Sequence, residues 1–313
     1  MSIRKTFLGV ASLALALAAA TTVARAEALP VITFETPTYA IGNINGQDGW
    51  IKTGTYDAAV VANTYGYSTF GAQTLRFSDS VTSGSFGDQT FSKPLLNAVG
   101  EVDSTDGSFS RGTLEHHFEM QFDLASTLAT LQPGMHLSVS PDRGDGSRMS
   151  YLRFEDQADG IHVFFDDVQG TTNPANFVET DIATVTRAPH TIKLTFDSVD
   201  GPSNDVVKVY VDGVLKITGT SWENYYRFDS EASAEQSPRI VKAVLFRESG
   251  TANLLDAGNG FVVDNLSLTS GVAGPVLVGP PVNKDACKKD GWKTFNSPSF
   301  KNQGECVSYT NHN

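Results

Sequence analysis

The chain has 313 residues, 23 of them basic and 35 acidic, for a formal charge of −12 at neutral pH. An acidic balance of this size argues against nucleic acid and anionic membrane surfaces as partners, because both repel it. The length accommodates one large core or two modest domains, and the two cysteines, Cys287 and Cys306, both fall near the C-terminus.

In chain order the first element is a leader. Arg4 and Lys5 precede an uncharged apolar run from Phe7 to Ala20, and Ala24-Arg25-Ala26 puts small residues at the positions a signal peptidase reads. Cleavage is expected after Ala26. The apolar run is shorter than the roughly 20 residues a membrane span needs, and no later segment reads as a span. Arg4, Lys5 and Arg25 leave with the leader and no acidic residue does, which moves the charge from −12 to −15. The mature chain is expected to be secreted or periplasmic, with extracellular glycan or cell-surface polysaccharide as its natural partner.

The body, residues 27–270, reads as all-β. Strands are predicted at Ala72–Ser78, Thr113–Asp123, His136–Ser140, Met149–Asp156, Gly160–Asp166, Arg239–Arg247 and Gly260–Thr269, separated by stretches rich in Gly, Asp and Ser. One short helical piece is predicted near Leu124–Leu131. Thr191–Phe196 places Ile192, Leu194 and Phe196 on one face. Asp212-Gly213 between Val207–Val211 and Val214–Ile217 predicts a two-residue hairpin, because both residues tolerate positive φ. Many strands at this spacing with almost no helix predict a jelly-roll sandwich.

Beyond residue 270, Gly and Pro predict a linker over 271–283, and residues 284–313 form a small unit closed by Cys287 and Cys306. In an exported chain an even pair close in sequence reads as one disulfide. Its lysines and aromatics suit polysaccharide or cell wall; the aromatics also suit a miniature core.

His190-Thr191-Ile192-Lys193-Leu194 followed by Val209-Tyr210-Val211-Asp212-Gly213 resembles the signature of LamG-like and other concanavalin A-like lectin/glucanase jelly rolls. Phe34-Glu35, Ile44–Trp50 and the closing Phe261–Leu268 resemble the first and last strands of bacterial members, so the resemblance covers roughly residues 28–270. Ala188-Pro189 stands where many members have Trp before the His. The tail resembles a short C-terminal module of secreted bacterial proteins. The resemblance implies the fold; its motifs are structural and assign no activity.

Members that hydrolyse glycans carry Glu-x-Asp-x-Glu on one strand. Here Glu179-Thr180-Asp181-Ile182-Ala183 lacks the third carboxylate, and Glu179 cannot alone supply nucleophile and acid. Lyases of similar shape use Arg, Gln, His and Tyr to neutralise a uronate and take its proton. Arg111, Glu115 and His117, with Gln121 and His162, offer some of those types, and a solvated sheet face would offer them too.

The aromatic clusters point to binding instead. Trp222, Tyr225, Tyr226 and Arg227 follow the hairpin directly, and Tyr65 and Tyr67 with Phe70 form a second group. These types stack on sugar rings and bind hydroxyls or carboxylates. Acidic turns at Asp142, Asp145, Asp205, Asp256 and Asp264 offer the hard oxygens Ca²⁺ takes, although such residues also serve turn geometry. Asp264 is the residue expected to join a structural Ca²⁺ to the N-terminal segment. The leading expectation is a glycan-binding protein without catalysis. An extracellular polysaccharide lyase or glycoside hydrolase comes second, and a structural or adhesive surface protein third.

Overall fold

The structure, a computed structural model, describes residues 26–82, 88–101, 114–232, 239–271, 281, 283–289, 291–293 and 300–312. The leader before residue 26, Arg111 and most of the 271–283 linker lie outside the described residues.

In chain order the strands begin with β1 (Glu27–Ala28), β2 (Gly42–Asn43), β3 (Ile51–Lys52), β4 (Asp57–Ala62), β5 (Gln73–Ser78) and β6 (Thr90–Phe91). β7 (Val99–Gly100), β8 (His117–Ser126), β9 (Met135–Asp142), β10 (Tyr151–Gln157), β11 (Gly160–Val168) and β12 (Phe177–Val185) follow. The series closes with β13 (His190–Asp197), β14 (Val206–Val211), β15 (Val214–Gly219), β16 (Ile240–Val241), β17 (Ala243–Gly250) and β18 (Phe261–Gly271). Two helices are described, α1 (Glu223–Phe228) and α2 (Gln303–His312).

The strands form an antiparallel two-sheet sandwich of jelly-roll type. The first sheet runs β15-β14-β13-β8-β18-β5-β4-β2, with β1 also on β18. The second runs β12-β11-β10-β9-β17-β6-β3, and β7 with β16 makes a two-stranded ribbon. Alternation explains the packing: Ile192, Leu194 and Phe196 from the first sheet and Leu152, Phe154 and Phe246 from the second are fully buried between the layers. Phe122 and Phe246 meet across them, ring centroids 6.2 Å apart.

The predicted hairpin forms as read. Asp212 and Gly213 take φ of 50° and 76°, and Val211 pairs Val214. The predicted helix near Leu124–Leu131 does not form. Leu124 pairs His190 on one side and Val263 on the other, so two ladders hold the chain extended as far as Ser126.

Cys287 and Cys306 are bonded. Phe300 packs with them, and Trp292, Val307 and Tyr309 pack against that cluster.

Candidate functional site: an open groove on the second sheet

Alternation turns one face of the second sheet outward. Register then assembles residues that are distant in sequence: Tyr151 opposes Asp166, and Ser138 opposes both Arg153 and Arg247. Above this face lies a cavity of about 660 Å³. Its floor includes Ser138, Tyr151, Asp166 and Arg247; Gln89 and Arg148 enter from loops, and Phe177, Trp222 and Tyr225 form a wall.

The wall is an aromatic corner. The ring centroids of Phe177 and Trp222 lie 4.9 Å apart at 80°, and Tyr225 lies 5.3 Å from Phe177. Trp222 is fixed at both ends, its amide donating to the Met149 carbonyl at 2.7 Å and its Nε1 to the Asp166 carbonyl at 3.2 Å. Tyr226 is buried below and donates to the Arg148 carbonyl at 2.8 Å. Aromatics held this way present rigid faces at little entropic cost.

Two arginines face the corner. Burial, and next the nearby positive charge of Arg148, lower the Arg247 pKa. Like charges brought this close in a cleft favour an anionic ligand. Asp88 acts on Arg247 in the opposite sense, and Asp166 lines the same cavity. Burial, and next the charge of Glu179, push its carboxyl up to about 7. His136 lies on the same face of β9 as Ser138, and burial lowers its imidazole pKa despite Glu155 at 3.3 Å.

α1 carries the corner and is braced from inside. Ser221 Oγ donates to Asp205 at 2.5 Å and accepts from the Glu223 amide at 3.0 Å. Glu223 Oε1 accepts the amides of Asn204 and Asp205. Carboxylate oxygens of Glu101, Asp205 and Glu223 lie within 4.8 Å of one another, a spacing compatible with a metal ion. Two guanidinium groups fill that role: Arg239 reaches Glu101 at 3.0 Å, and Arg227 contacts both Glu101 and Glu223. Burial, and next the Glu223 charge, push Asp205 up to about 8, so a proton completes the neutralisation. The residues therefore do not call for a metal.

Of the expected site residues, Trp222, Tyr225 and Tyr226 line the groove, and Arg227 turns instead into this buried network. Glu179 and Asp181 lie on β12 beside the groove floor. Arg153 donates to both oxygens of Glu179 at 2.7 Å, and His162 contacts Asp181 at 2.7 Å. His117 lies on the outer face of the first sheet, paired with Asp197 at 2.6 Å, and Glu115 is buried beside the ribbon. The structure does not bring these two to the groove. Tyr65 and Tyr67 pack with Phe70 over Ala125 and Val262, also on the first sheet. Asp264 reaches the N-terminal part of the fold: its two oxygens accept the amides of Gly71 and Asn265, and Glu35 lies close enough to raise its pKa.

No protein-family model matches the chain, and no curated protein sequence matches it. Among solved structures it is similar to alginate lyase Aly36B in complex with alginate tetrasaccharide, at 11% identity and a TM-score of 0.45, over 78% of this chain and 97% of that one. It is also similar to the Emp47p carbohydrate recognition domain, at 12% identity and 0.40, over 79% and 95%. A third is a carbohydrate esterase from Shiga toxin-encoding bacteriophage phi24B, at 13% and 0.38, over 71% and 90%. Likenesses this distant carry no argument about chemistry.

Proposed function

We propose that the chain is an exported glycan-binding protein and that its ligand is an acidic polysaccharide lying along the groove of the second sheet. One observation carries the reading: the aromatic corner of Phe177, Trp222 and Tyr225 stands beside Arg148 and Arg247 in one open cavity. The rings supply stacking faces for sugar rings, and the guanidinium groups supply fixed donors for uronate carboxylates. The leader motif agrees with work outside the cytoplasm, and the two guanidinium groups make the groove locally positive on a chain whose overall acidity opposes a polyanion.

The test is affinity electrophoresis of the mature protein in gels containing neutral or uronate-rich polysaccharides. Retardation by the uronate polymers is expected, and Trp222→Ala should remove it. Migration unaffected by any polymer would sink the reading.

A second reading is cleavage of the same ligand by β-elimination. The observation in its favour is that His136 stands on the face that also carries Tyr151 and Arg247, where burial shifts its imidazole towards the neutral form against the pull of Glu155. A neutral imidazole can take the proton next to a carboxylate that arginine has neutralised. Ultraviolet-absorbing unsaturated products, lost in His136→Ala, would select this reading over simple binding.

A further inference from the structure

Outside the groove, charge is segregated along the chain. Residues 284–313 carry five lysines against three acidic side chains. Residues 27–283 carry 15 basic and 32 acidic side chains. The C-terminal unit is therefore a positive island on an acidic chain.

The packing of that unit decides which of its side chains face outward. Cys287 and Cys306 are fully buried, Phe300 packs with them, and Trp292, Val307 and Tyr309 close the cluster. Phe300 and Tyr309 meet edge-on, ring centroids 5.6 Å apart. The rings that suit a sugar are thus engaged in the miniature core. Lys284, Lys288, Lys289 and Lys301 are all exposed. The disulfide draws the two lysine-bearing segments together. Its Cα atoms are 5.7 Å apart, and Lys288 and Lys289 follow Cys287 directly. The Lys301 amide donates at 2.7 Å to Glu305, the residue before Cys306.

Lys288 Nζ lies 2.6 Å from Asp285, and both side chains are more than half exposed. Such a pair is weak in water and screened by salt, so it gives way to a ligand with several anions. Ammonium groups on long stems are mobile point charges that impose no planar geometry. They fit repeated carboxylates along a polymer better than one small anion. A broad anionic surface would also have to approach the acidic side chains of the sandwich. A narrow polymer can reach the lysines without doing so.

We propose that the lysines of the C-terminal unit form a second contact for the acidic polysaccharide, engaging its repeated carboxylates by charge alone. The inference rests on the groove as the first contact. Because both contacts belong to one chain, a polymer held by one meets the other at high effective concentration. A short oligomer held in the groove gains nothing from the lysines.

The experiment uses the full mature protein and two probes, trigalacturonate and polygalacturonate, titrated by calorimetry at low and high NaCl. Lys288→Gln/Lys289→Gln should weaken polygalacturonate binding about tenfold at low salt and reduce its salt dependence, with trigalacturonate bound as in the wild type. Lys208→Gln/Lys216→Gln removes the same charge from the first sheet and should change neither. Unchanged polymer binding in the tail variant overturns the proposal and leaves the groove standing. Equal losses in the two variants also overturn it, since net charge alone would then be responsible. Lysine-dependent binding to phosphatidylglycerol vesicles with polymer binding unchanged would overturn it in favour of a membrane. Failure of trigalacturonate to bind the wild type would overturn the groove reading, and the second contact with it.

Discussion

Asp166 stands directly across from Glu179 in the β11–β12 ladder, yet only Glu179 is held by a cation. Arg153 bonds both Glu179 oxygens and stacks on Phe164, 4.0 Å from its ring centre. Asp166 Oδ1 is buried with no hydrogen bond, and burial and then Glu179 push the carboxyl up to about 7. The groove therefore changes charge near neutral pH, through a residue on its floor.

This difference predicts how binding follows pH. Below about pH 7 Asp166 is protonated and Arg148 and Arg247 act unopposed by it. An acidic glycan should bind more tightly near pH 6 than near pH 8, by up to about tenfold, the scale of one charge at contact range in a half-wet site. Calorimetric affinities at the two pH values measure this. Asp166→Asn should flatten the dependence, and equal slopes in variant and wild type would rule the residue out.

The arginines make a sharper prediction. Arg247→Gln should weaken binding of uronate polymers by roughly 2 kcal/mol or more and reduce its salt dependence. Neutral glycans that stack on Trp222 should be held as before. If neutral and acidic polymers lose affinity equally, the arginine shapes the groove instead of reading charge.

Much of the frame is legible in the sequence, and the groove is legible only at one wall. Alternation in His190–Asp197, the Asp212-Gly213 turn and the paired cysteines each state a local rule that the fold obeys. Trp222 and Tyr225 stand out because large aromatics in a polar stretch are unusual. The floor gives no such signal. Gln89, Arg148, Tyr151, Asp166 and Arg247 are brought together by cross-strand register and loop closure. On any one strand they look like an ordinary solvated face. Edge strand β12 carries no strand signal in the sequence because its residues lie mostly at the surface on both faces, which erases alternation. The short helix α1 is not legible either, because six residues are too few to show a helical period.

The brace under α1 predicts a large stability effect away from the ligand. Arg239 is 1% exposed and reaches Glu101 at 3.0 Å. Arg239→Met removes a charge that balances buried carboxylates and should cost about 3–5 kcal/mol, lowering the melting temperature by roughly 10 °C. The Glu101→Gln/Arg239→Met double variant should recover part of that loss. A double variant no better than the single would show that packing, not charge, is what Arg239 supplies.

The disulfide should matter only locally. The cluster of Cys287, Phe300 and Cys306 shares no member with the main core. Cys306→Ser should leave the main melting transition in place and expose the tail to proteolysis, with a loss of about 3 kcal/mol confined to that unit. Limited digestion followed by mass spectrometry reads this out, and a lowered main transition would show that the tail supports the sandwich.

The buried carboxylates set an overall pH profile. Burial raises Asp142 and Asp264 to about 6, Asp79 and Asp166 to about 7, and Asp205 to about 8. In the unfolded chain each releases its proton near about pH 4. Between about pH 4 and 8 the folded chain therefore holds more protons than the unfolded one, and stability falls as pH rises through that window. Asp212 and Glu155 work the other way, since His190 and Arg153 lower their pKa values, and their stabilisation is lost as pH falls through those lowered values. The balance puts the maximum at the acidic end of that window, near about pH 4, with a decline towards pH 8. Melting temperatures across that range test it. Asp205→Asn should flatten the part between about pH 6 and 8 and raise the melting temperature at the upper end. A profile that rises with pH, or an Asp205→Asn curve parallel to the wild type, would show that these carboxylates are charged in the folded protein after all.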